Sequence, residues 1–170
     1  MSPVAVLVGA PGAGKTTVGK ALAARLGVEF LDTDDLVVTR AGKSISDIFL
    51  DDGEEAFRRL ETEALASALA SSEGVLSLGG GVVMREENRA LLAGQPVVWL
   101  EVTLADAVAR VGLGNSRPLL MGNVRGRLLE LLTERTPVYA AVASIRVSTT
   151  QRSVPTVVDD IMKALGSDHD

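Results

Sequence analysis

Short apolar runs alternate with longer segments of helical periodicity along the whole chain. Five of these runs have the length and composition of buried strands: residues 4–9, 28–32, 74–78, 96–101 and 144–148. Between them, apolar residues recur at helical spacing, as in the pairs Leu22/Leu26 and Leu128/Leu132. The helices predicted from this periodicity cover residues 14–27, 35–42, 45–71, 86–94, 104–112, 124–143 and 154–166.

Strands that are separated by helices predict a parallel sheet, because each helix carries the chain back to the end where the previous strand began. Such crossovers are right-handed and cover both faces of the sheet. We therefore predict an α/β fold with three layers, α-β-α, around a five-stranded parallel sheet. At 170 residues the chain has the size of one domain, so we expect a single domain over residues 1–170.

Composition limits the partners and the compartment. A net charge of −5 argues against a surface for nucleic acid or for an anionic membrane. The absence of cysteine excludes disulfides and cysteine-ligated metals, and it makes the reducing cytoplasm the expected location. No apolar run approaches the roughly 18 residues that a membrane-spanning helix needs. We expect a cytoplasmic protein whose partners are small molecules.

The segment GAPGAGKTT, residues 9–17, connects the first predicted strand to the first predicted helix. It matches the phosphate-binding loop G-x-x-x-x-G-K-[ST], in which backbone N–H groups and a helix N-terminus surround a phosphate. In this pattern Lys15 reaches the β- and γ-phosphates and the Thr16 hydroxyl coordinates Mg²⁺. The alternative is a glycine-rich strand-to-helix turn with a surface lysine. The match to the full motif, between a strand and a helix, favours phosphate binding over this alternative. We expect ATP to be bound by Gly12, Ala13, Gly14, Lys15, Thr16 and Thr17.

A phosphate-binding loop is compatible with a GTPase switch, a motor subunit or a small-molecule kinase. The chain has no Asn-Lys-x-Asp segment for reading guanine, and it is short for a motor core. A kinase or a non-catalytic nucleotide-binding module therefore remains, and residues downstream of the second strand must distinguish them.

Two carboxylates, Asp32 and Asp34, end the second predicted strand in the segment LDTDD. On an extended backbone residues i and i+2 point the same way, so both side chains would lie at the carboxyl edge of the sheet. One could position Mg²⁺ through a bound water, and the other could accept a proton from an attacking hydroxyl. The alternative is helix capping, by Thr33, Asp34 or Asp35, of a helix that begins near residue 36.

The segment FRRLE places Arg58 and Glu61 three residues apart on a predicted helix. The pair is either a surface ion pair or a guanidinium that its glutamate holds toward an anionic substrate group. The next strand ends in Gly79, Gly80 and Gly81, which indicates either close approach of a ligand to the backbone or a flexible turn.

The segment GLGNSRPLLMGN, residues 112–123, is rich in turn formers and carries Arg117. It is typical of a mobile flap that closes over the γ-phosphate, excludes water and brings the arginine to the developing charge. The alternative is an ordinary surface loop.

In this order the motifs D-T-D, F-R-R-x-E, G-G-G and R-P-L-L resemble the shikimate kinase family, and the resemblance runs over nearly the whole chain. It implies a P-loop kinase of the nucleoside-monophosphate-kinase type with a mobile lid at about 112–123 and a substrate-binding region at about 33–61. The implied reaction transfers the γ-phosphoryl group of ATP to the 3-hydroxyl of shikimate, with Mg²⁺, in aromatic amino-acid biosynthesis. A monomer is the expected state. Gluconate and nucleoside monophosphate kinases are the rivals, but they lack the G-G-G segment and the paired arginines.

The resemblance also implies roles for individual residues. Asp34 is the expected base toward the 3-hydroxyl, with Lys15 and Arg117 as the other catalytic residues, and Asp32 joins Thr16 at the metal. The expected adenine region consists of Arg110 and Arg152, the latter within residues 152–155. The remaining residues are expected to bind the acceptor, with Glu61 steadying Arg58 and the two phenylalanines forming apolar walls: Arg58, Gly79, Gly80, Gly81, Arg135, Phe49, Phe57 and Glu61.

Overall fold

The computed structural model describes residues 2–112 and 123–167 of the chain. All five predicted strands are confirmed, as β1 (Ala5–Val8), β2 (Phe30–Asp32), β3 (Val75–Ser77), β4 (Val97–Glu101) and β5 (Ile145–Ser148). The helices are α1 (Lys15–Leu26), α2 (Thr33–Ala41), α3 (Ile45–Asp52), α4 (Glu54–Ser71), α5 (Glu86–Leu92), α6 (Leu104–Gly112), α7 (Val124–Val142) and α8 (Val154–Ser167). One 3-10 turn, Val82–Met84, follows β3.

The five strands form one parallel sheet in the order β2-β3-β1-β4-β5, as the alternation of strands and helices predicts. The register pairs Ser77 with Leu7 on one side and with Asp32 on the other. The ends of β1, β2 and β3 therefore lie at the same level. This places the phosphate-binding loop, the two carboxylates and the three glycines together at the carboxyl ends of the parallel strands.

The hydrophobic core lies on both faces of the sheet, and successive residues of a strand contribute alternately to the two faces. In β1, Ala5 and Leu7 pack with residues of α1 and α8, whereas Val6 and Val8 pack with residues of α4, α5 and α7. All four side chains are buried because helices cover both faces, which confirms the three-layer prediction. Among the described residues, no helix is both long and apolar enough to cross a membrane.

The prediction of one helix over residues 45–71 is wrong, because Gly53 interrupts it and separates two helices, α3 and α4. This glycine has φ 86°, a left-handed conformation that other residues rarely adopt, and its N–H donates to the carbonyl oxygens of Ile48 and Phe49. It closes α3, and α4 begins at the next residue. The hydroxyl of Ser44 accepts from the N–H of Asp47 at 3.1 Å and caps the start of α3.

The contact between Gly74 and β2 gives the first testable prediction. A Cβ on Gly74 would collide with the carbonyl oxygen of Glu29, which accepts from the N–H of Val75 and cannot move aside freely. We expect Gly74→Ala to lower the free energy of unfolding by about 1–3 kcal/mol, measured by urea denaturation. The matched control is Gly166→Ala in α8, where no atom lies within 4 Å of the added Cβ. An unchanged midpoint for Gly74→Ala would contradict the close contact.

Candidate active site

The side chain of Lys15 bonds to the backbone of the loop between β1 and α1. Nζ of Lys15 donates to the carbonyl oxygens of Gly9 at 2.6 Å and Ala10 at 3.1 Å. Gly14 caps α1 with φ 89°, which a side chain at this position would disfavour. The loop therefore has the compact turn and the helix N-terminus that the motif predicts for a phosphate.

The rest of the predicted phosphate-binding residues lie around this loop. Thr16 and Thr17 occupy the first turn of α1 and are exposed, so both hydroxyls are accessible from the edge of the sheet. Ala13 is buried in the core beneath the loop, with its N–H donating to the carbonyl oxygen of Ala10 at 3.1 Å. Gly12 carries φ 83° at the outer bend of the loop.

Arg110 ties the loop to the end of β5. Its guanidinium donates to the carbonyl oxygens of Gly12 at 2.8 Å and Thr149 at 2.9 Å. Arg152 also lies beyond β5, where it donates to the carbonyl oxygen of Ser148 at 3.0 Å and pairs with Asp160 of α8. The two arginines predicted for the adenine region are thus near the same strand end, and protein groups engage both of them.

The two carboxylates at the end of β2 lie close together, but not for the predicted reason. Asp34 is in the first turn of α2, not on an extended backbone, and Asp32 is the N-cap that accepts from the N–H of Asp34 at 2.8 Å. The helix is capped, but by Asp32 and from residue 33, so the expectation of a cap by Thr33, Asp34 or Asp35 on a helix that begins near residue 36 is wrong. Because the cap fixes residue 34 by a backbone hydrogen bond, the Asp34 carboxylate remains available for chemistry.

Each glycine of the triplet after β3 packs against a different polar side chain. A Cβ on Gly79 would lie 2.9 Å from Oδ1 of Asp34, and one on Gly81 would lie 2.8 Å from Nη1 of Arg58. At Gly80 the neighbour is Nη1 of Arg135, at 2.7 Å.

None of the three glycines has a positive φ, so the backbone conformation does not require glycine here. Close packing favours glycine instead, because an added Cβ would have to displace the end of the Asp34, Arg135 or Arg58 side chain. Gly79 is also held from below, since its N–H donates to the buried hydroxyl of Thr33 at 2.9 Å. The alternative of a flexible turn does not explain these contacts.

Arg58 and Glu61 form a partly buried ion pair, not a surface pair. Nη1 of Arg58 donates to Oε1 of Glu61 at 2.9 Å, and the glutamate side chain is only 2% exposed. Burial raises the pKa of Glu61 and the nearby Asp34 adds to this, whereas Arg58 and Arg135 lower it. One carboxylate therefore lies among the two guanidinium groups and Asp34, and it orients Arg58 toward the glycine loop.

Tyr139 is a residue of this site that the sequence reasoning missed. It is 1% exposed, its hydroxyl donates to the carbonyl oxygen of Gly80 at 2.8 Å, and the guanidinium of Arg135 lies beside the same glycine. The sequence held one indication of this role: Tyr139 follows Arg135 by four residues, which puts both side chains on one face of α7.

The predicted aromatic pair packs beside Arg58. The ring centroids of Phe49 and Phe57 are 4.8 Å apart, and Cζ of Arg58 lies 5.2 Å from the Phe57 ring centroid. Arg117 and nearly all of the flap predicted over residues 112–123 lie outside the described residues.

Comparison with known proteins places this arrangement in a family. The family model described as shikimate kinase matches residues 11–166. A shikimate kinase from Thermobifida fusca is 58% identical over 163 residues, which cover 96% of this chain and 95% of that protein. The chain belongs to the shikimate kinase family. A second shikimate kinase, from Salinispora arenicola, is 60% identical over 90% of this chain and 92% of its own length.

Solved structures agree with this assignment to the shikimate kinase family. The shikimate kinase from Acinetobacter baumannii in complex with shikimate has a TM-score of 0.92 and 35% identity, and the match covers 99% of this chain and 94% of that one. A gluconokinase from Sinorhizobium meliloti shares the fold, with a TM-score of 0.64 and 20% identity over 96% of this chain and 91% of that one. The P-loop kinase fold predicted from the sequence is therefore confirmed.

A shikimate kinase uses ATP, and the residues at this edge of the sheet suit the Mg²⁺ that accompanies ATP phosphates. Burial and the neighbouring Asp34 raise the pKa of Asp32, whereas the N–H of Asp34 and the charge of Lys15 lower it. Negative charge is thus concentrated beside the phosphate-binding loop, where a cation would relieve it. Within residues 2–112 and 123–167, no group of three or more His, Cys, Asp or Glu side chains could hold a metal.

Proposed function

We propose that this chain transfers the γ-phosphoryl group of ATP to the 3-hydroxyl of shikimate, giving shikimate 3-phosphate and ADP. The observation that carries the proposal is the convergence of Asp34, Arg58 and Arg135 on the glycine triplet. The triplet also contacts the phosphate-binding loop, since a Cβ on Gly80 would lie 3.6 Å from Cδ of Pro11. A proton acceptor and two carboxylate-binding groups therefore lie next to the site for the triphosphate.

The acceptor side of the site suits a small organic acid. Arg58 and Arg135 approach the triplet from α4 and α7, and guanidinium groups bind a carboxylate in two-pronged geometry. Glu61 is the buried carboxylate shared between them, and Arg58 also pairs with the exposed Glu54 at 3.7 Å. The ring pair Phe49 and Phe57 adds an apolar wall for the carbon ring of shikimate.

Asp34 would accept the proton of the attacking hydroxyl. The 3-oxygen forms a bond to the γ-phosphorus as the bond from that phosphorus to the β–γ bridging oxygen breaks, and ADP leaves with the bridging oxygen. The proton of the hydroxyl passes to the Asp34 carboxylate. Asp34 is held for this step by its backbone bond to Asp32 and by its packing on Gly79.

The phosphates of ATP would lie on the loop N–H groups and against Lys15, at the N-terminus of α1. Thr16 and Asp32 would hold the magnesium ion, directly and through water, and the ion when bound neutralises charge on the β- and γ-phosphates. Arg110 and Arg152 would border the adenine, and Arg117 would act from a lid at about 112–123. We further propose a single-domain, monomeric and cytoplasmic enzyme.

Acceptor-dependent ADP formation tests the proposal. The full chain, ATP and Mg²⁺ are assayed with shikimate, gluconate or a nucleoside monophosphate as the acceptor, and ADP release is measured by a coupled reaction. We expect turnover only with shikimate. Release that does not exceed the ATPase background with shikimate would reject the proposal, and a preference for gluconate would favour the gluconokinase type of function.

The contact of Gly80 with Arg135 gives a second testable prediction. In Gly80→Ala the new methyl group would lie 2.7 Å from Nη1 of Arg135 and must displace the end of that side chain. We expect the KM for shikimate to rise about tenfold, because one of its two guanidinium contacts is lost. The KM for ATP should change by less than about twofold. Steady-state kinetics with each substrate varied in turn provide the measurement, and equal changes in both KM values would contradict the assignment.

A further inference from the structure

Tyr139 joins two parts of the acceptor site that come from distant segments of the chain. Its hydroxyl donates to the carbonyl oxygen of Gly80 in the loop after β3. Nη1 of Arg135 in α7 packs on the same glycine: a Cβ on Gly80 would lie 2.7 Å from that nitrogen and 3.6 Å from the Tyr139 hydroxyl. The ring is fixed as well, because its centroid lies 6.1 Å from that of the buried Trp99 and the residue is 1% exposed. The hydroxyl thus holds the backbone segment against which the Arg135 guanidinium packs.

We propose that Tyr139 is a positioning residue, which sets the Arg135 guanidinium against the Gly80 backbone before the acceptor carboxylate arrives. This inference rests on the proposed function and adds a residue to it. Tyr139 does not itself touch the substrate. It acts through Arg135 and through the glycine loop.

The physical argument begins with the freedom of an arginine side chain. Arg135 is only half-buried, and an arginine has several rotatable bonds whose ordering opposes binding. Packing against a glycine loop that a fixed hydroxyl holds in place removes part of that freedom in the free enzyme, so less of it is lost when the carboxylate binds. The Gly80 carbonyl gains a donor at the same time, which holds the loop in the shape that packs against Arg135.

The protonation of the tyrosine is consistent with this role. Burial raises the pKa of Tyr139, although the nearby Arg135 lowers it. The phenol therefore keeps its proton at neutral pH and can donate to Gly80.

Tyr139→Phe removes the hydroxyl and retains the ring. We expect the KM for shikimate to rise about fivefold, the value of one ordinary hydrogen bond, with kcat and the KM for ATP within about twofold of the wild type. A split of this kind identifies a positioning residue, since a general loss of structure would not select one substrate. An unchanged KM for shikimate, or an equal rise in both KM values, would overturn the inference.

Ser72→Ala is the matched control. Ser72 is 1% exposed, and its hydroxyl accepts from the N–H of Gly74 at 3.1 Å, at the opposite end of β3 from the glycine triplet. This variant also loses one buried hydroxyl, so its free energy of unfolding should fall by a similar amount, but both KM values should stay at the wild-type level. A rise in the KM for shikimate in Ser72→Ala as large as that in Tyr139→Phe would overturn the inference, because the effect would then follow stability.

A measurement on the wild-type chain decides the question even if Tyr139→Phe fails to fold. The chain has one tyrosine, so isotope-labelled tyrosine gives ring signals from Tyr139 alone in a nuclear magnetic resonance spectrum. We expect these signals to shift when shikimate is added, because its carboxylate contacts Arg135. Unchanged signals at saturating shikimate would overturn the inference. Wild-type protein without shikimate-dependent turnover would instead reject the proposed function itself, so the two failures are distinguishable.

Discussion

Asp34→Asn should lower kcat for transfer to shikimate by about a thousandfold, because an amide cannot accept the proton of the attacking hydroxyl. The substitution preserves the size of the side chain. It also preserves the N–H of residue 34, which bonds to Asp32 at 2.8 Å and fixes the first turn of α2. The affinity for ATP should therefore stay within about twofold of the wild type.

The measurement combines single-turnover transfer with nucleotide binding by titration calorimetry. Asp35→Asn is the matched control: Asp35 is the next residue of the same helix turn and is exposed, so its loss of charge should leave kcat nearly unchanged. The role of Asp34 as the base would be contradicted if Asp34→Asn retained more than about a tenth of the wild-type kcat. A chain that binds ATP but never transfers phosphate, in any variant, would instead be a nucleotide-binding module.

Arg58→Ala should have two large effects with separate causes. The KM for shikimate should rise about a hundredfold, because a charge-assisted contact with the acceptor carboxylate is lost. The free energy of unfolding should fall by about 3 kcal/mol, because Glu61, at 2% exposure, is left buried without its closest partner. The KM for ATP should change little, since Arg58 faces the glycine loop.

A second substitution separates the two effects of Arg58→Ala. Adding Glu61→Gln removes the unpaired charge, so the double variant should recover most of the stability but not the KM for shikimate. The pH dependence follows the same reasoning. Burial raises the pKa of Glu61, so the folded state favours the protonated carboxyl, and the stability of Arg58→Ala should be highest at acidic pH and fall as the pH rises through that pKa.

Kinetics with each substrate varied in turn, and urea denaturation at acidic and neutral pH, check the effects expected for Arg58→Ala. Arg59→Ala is its control, because Arg59 is the exposed neighbour on α4 and should affect neither quantity. A parallel rise in the KM values for shikimate and ATP would contradict the assignment of Arg58 to the acceptor.

Local patterns were enough to predict the sheet and to bring most of the candidate site residues to one end of it. Five apolar runs separated by helical segments allow few arrangements, because crossovers in a parallel sheet share one hand and one direction. The phosphate-binding loop carries its own geometry in its glycines and lysine, so its position between β1 and α1 was predictable. The helix boundaries at residues 33 and 53 were not, since each depends on one local event: the Asp32 cap and the left-handed Gly53.

Contacts between distant segments could not be predicted from these patterns. The sequence indicated that Gly79, Gly80 and Gly81 approach something closely, but not that each would meet a charged side chain from a different helix. Tyr139 is 59 residues from Gly80 along the chain, and neither position suggests the other. Packing in three dimensions, not propensity or periodicity, determines such pairs.

The glycine triplet has a consequence for how this site can change. Its backbone packs against one carboxylate and two guanidinium groups and so fixes the distances among them, although those groups belong to three different helices. Inserting or deleting one residue between β3 and the 3-10 turn would misplace all three groups together. A redesign for a longer acid should therefore leave this loop intact and instead lengthen or exchange the side chains that reach it.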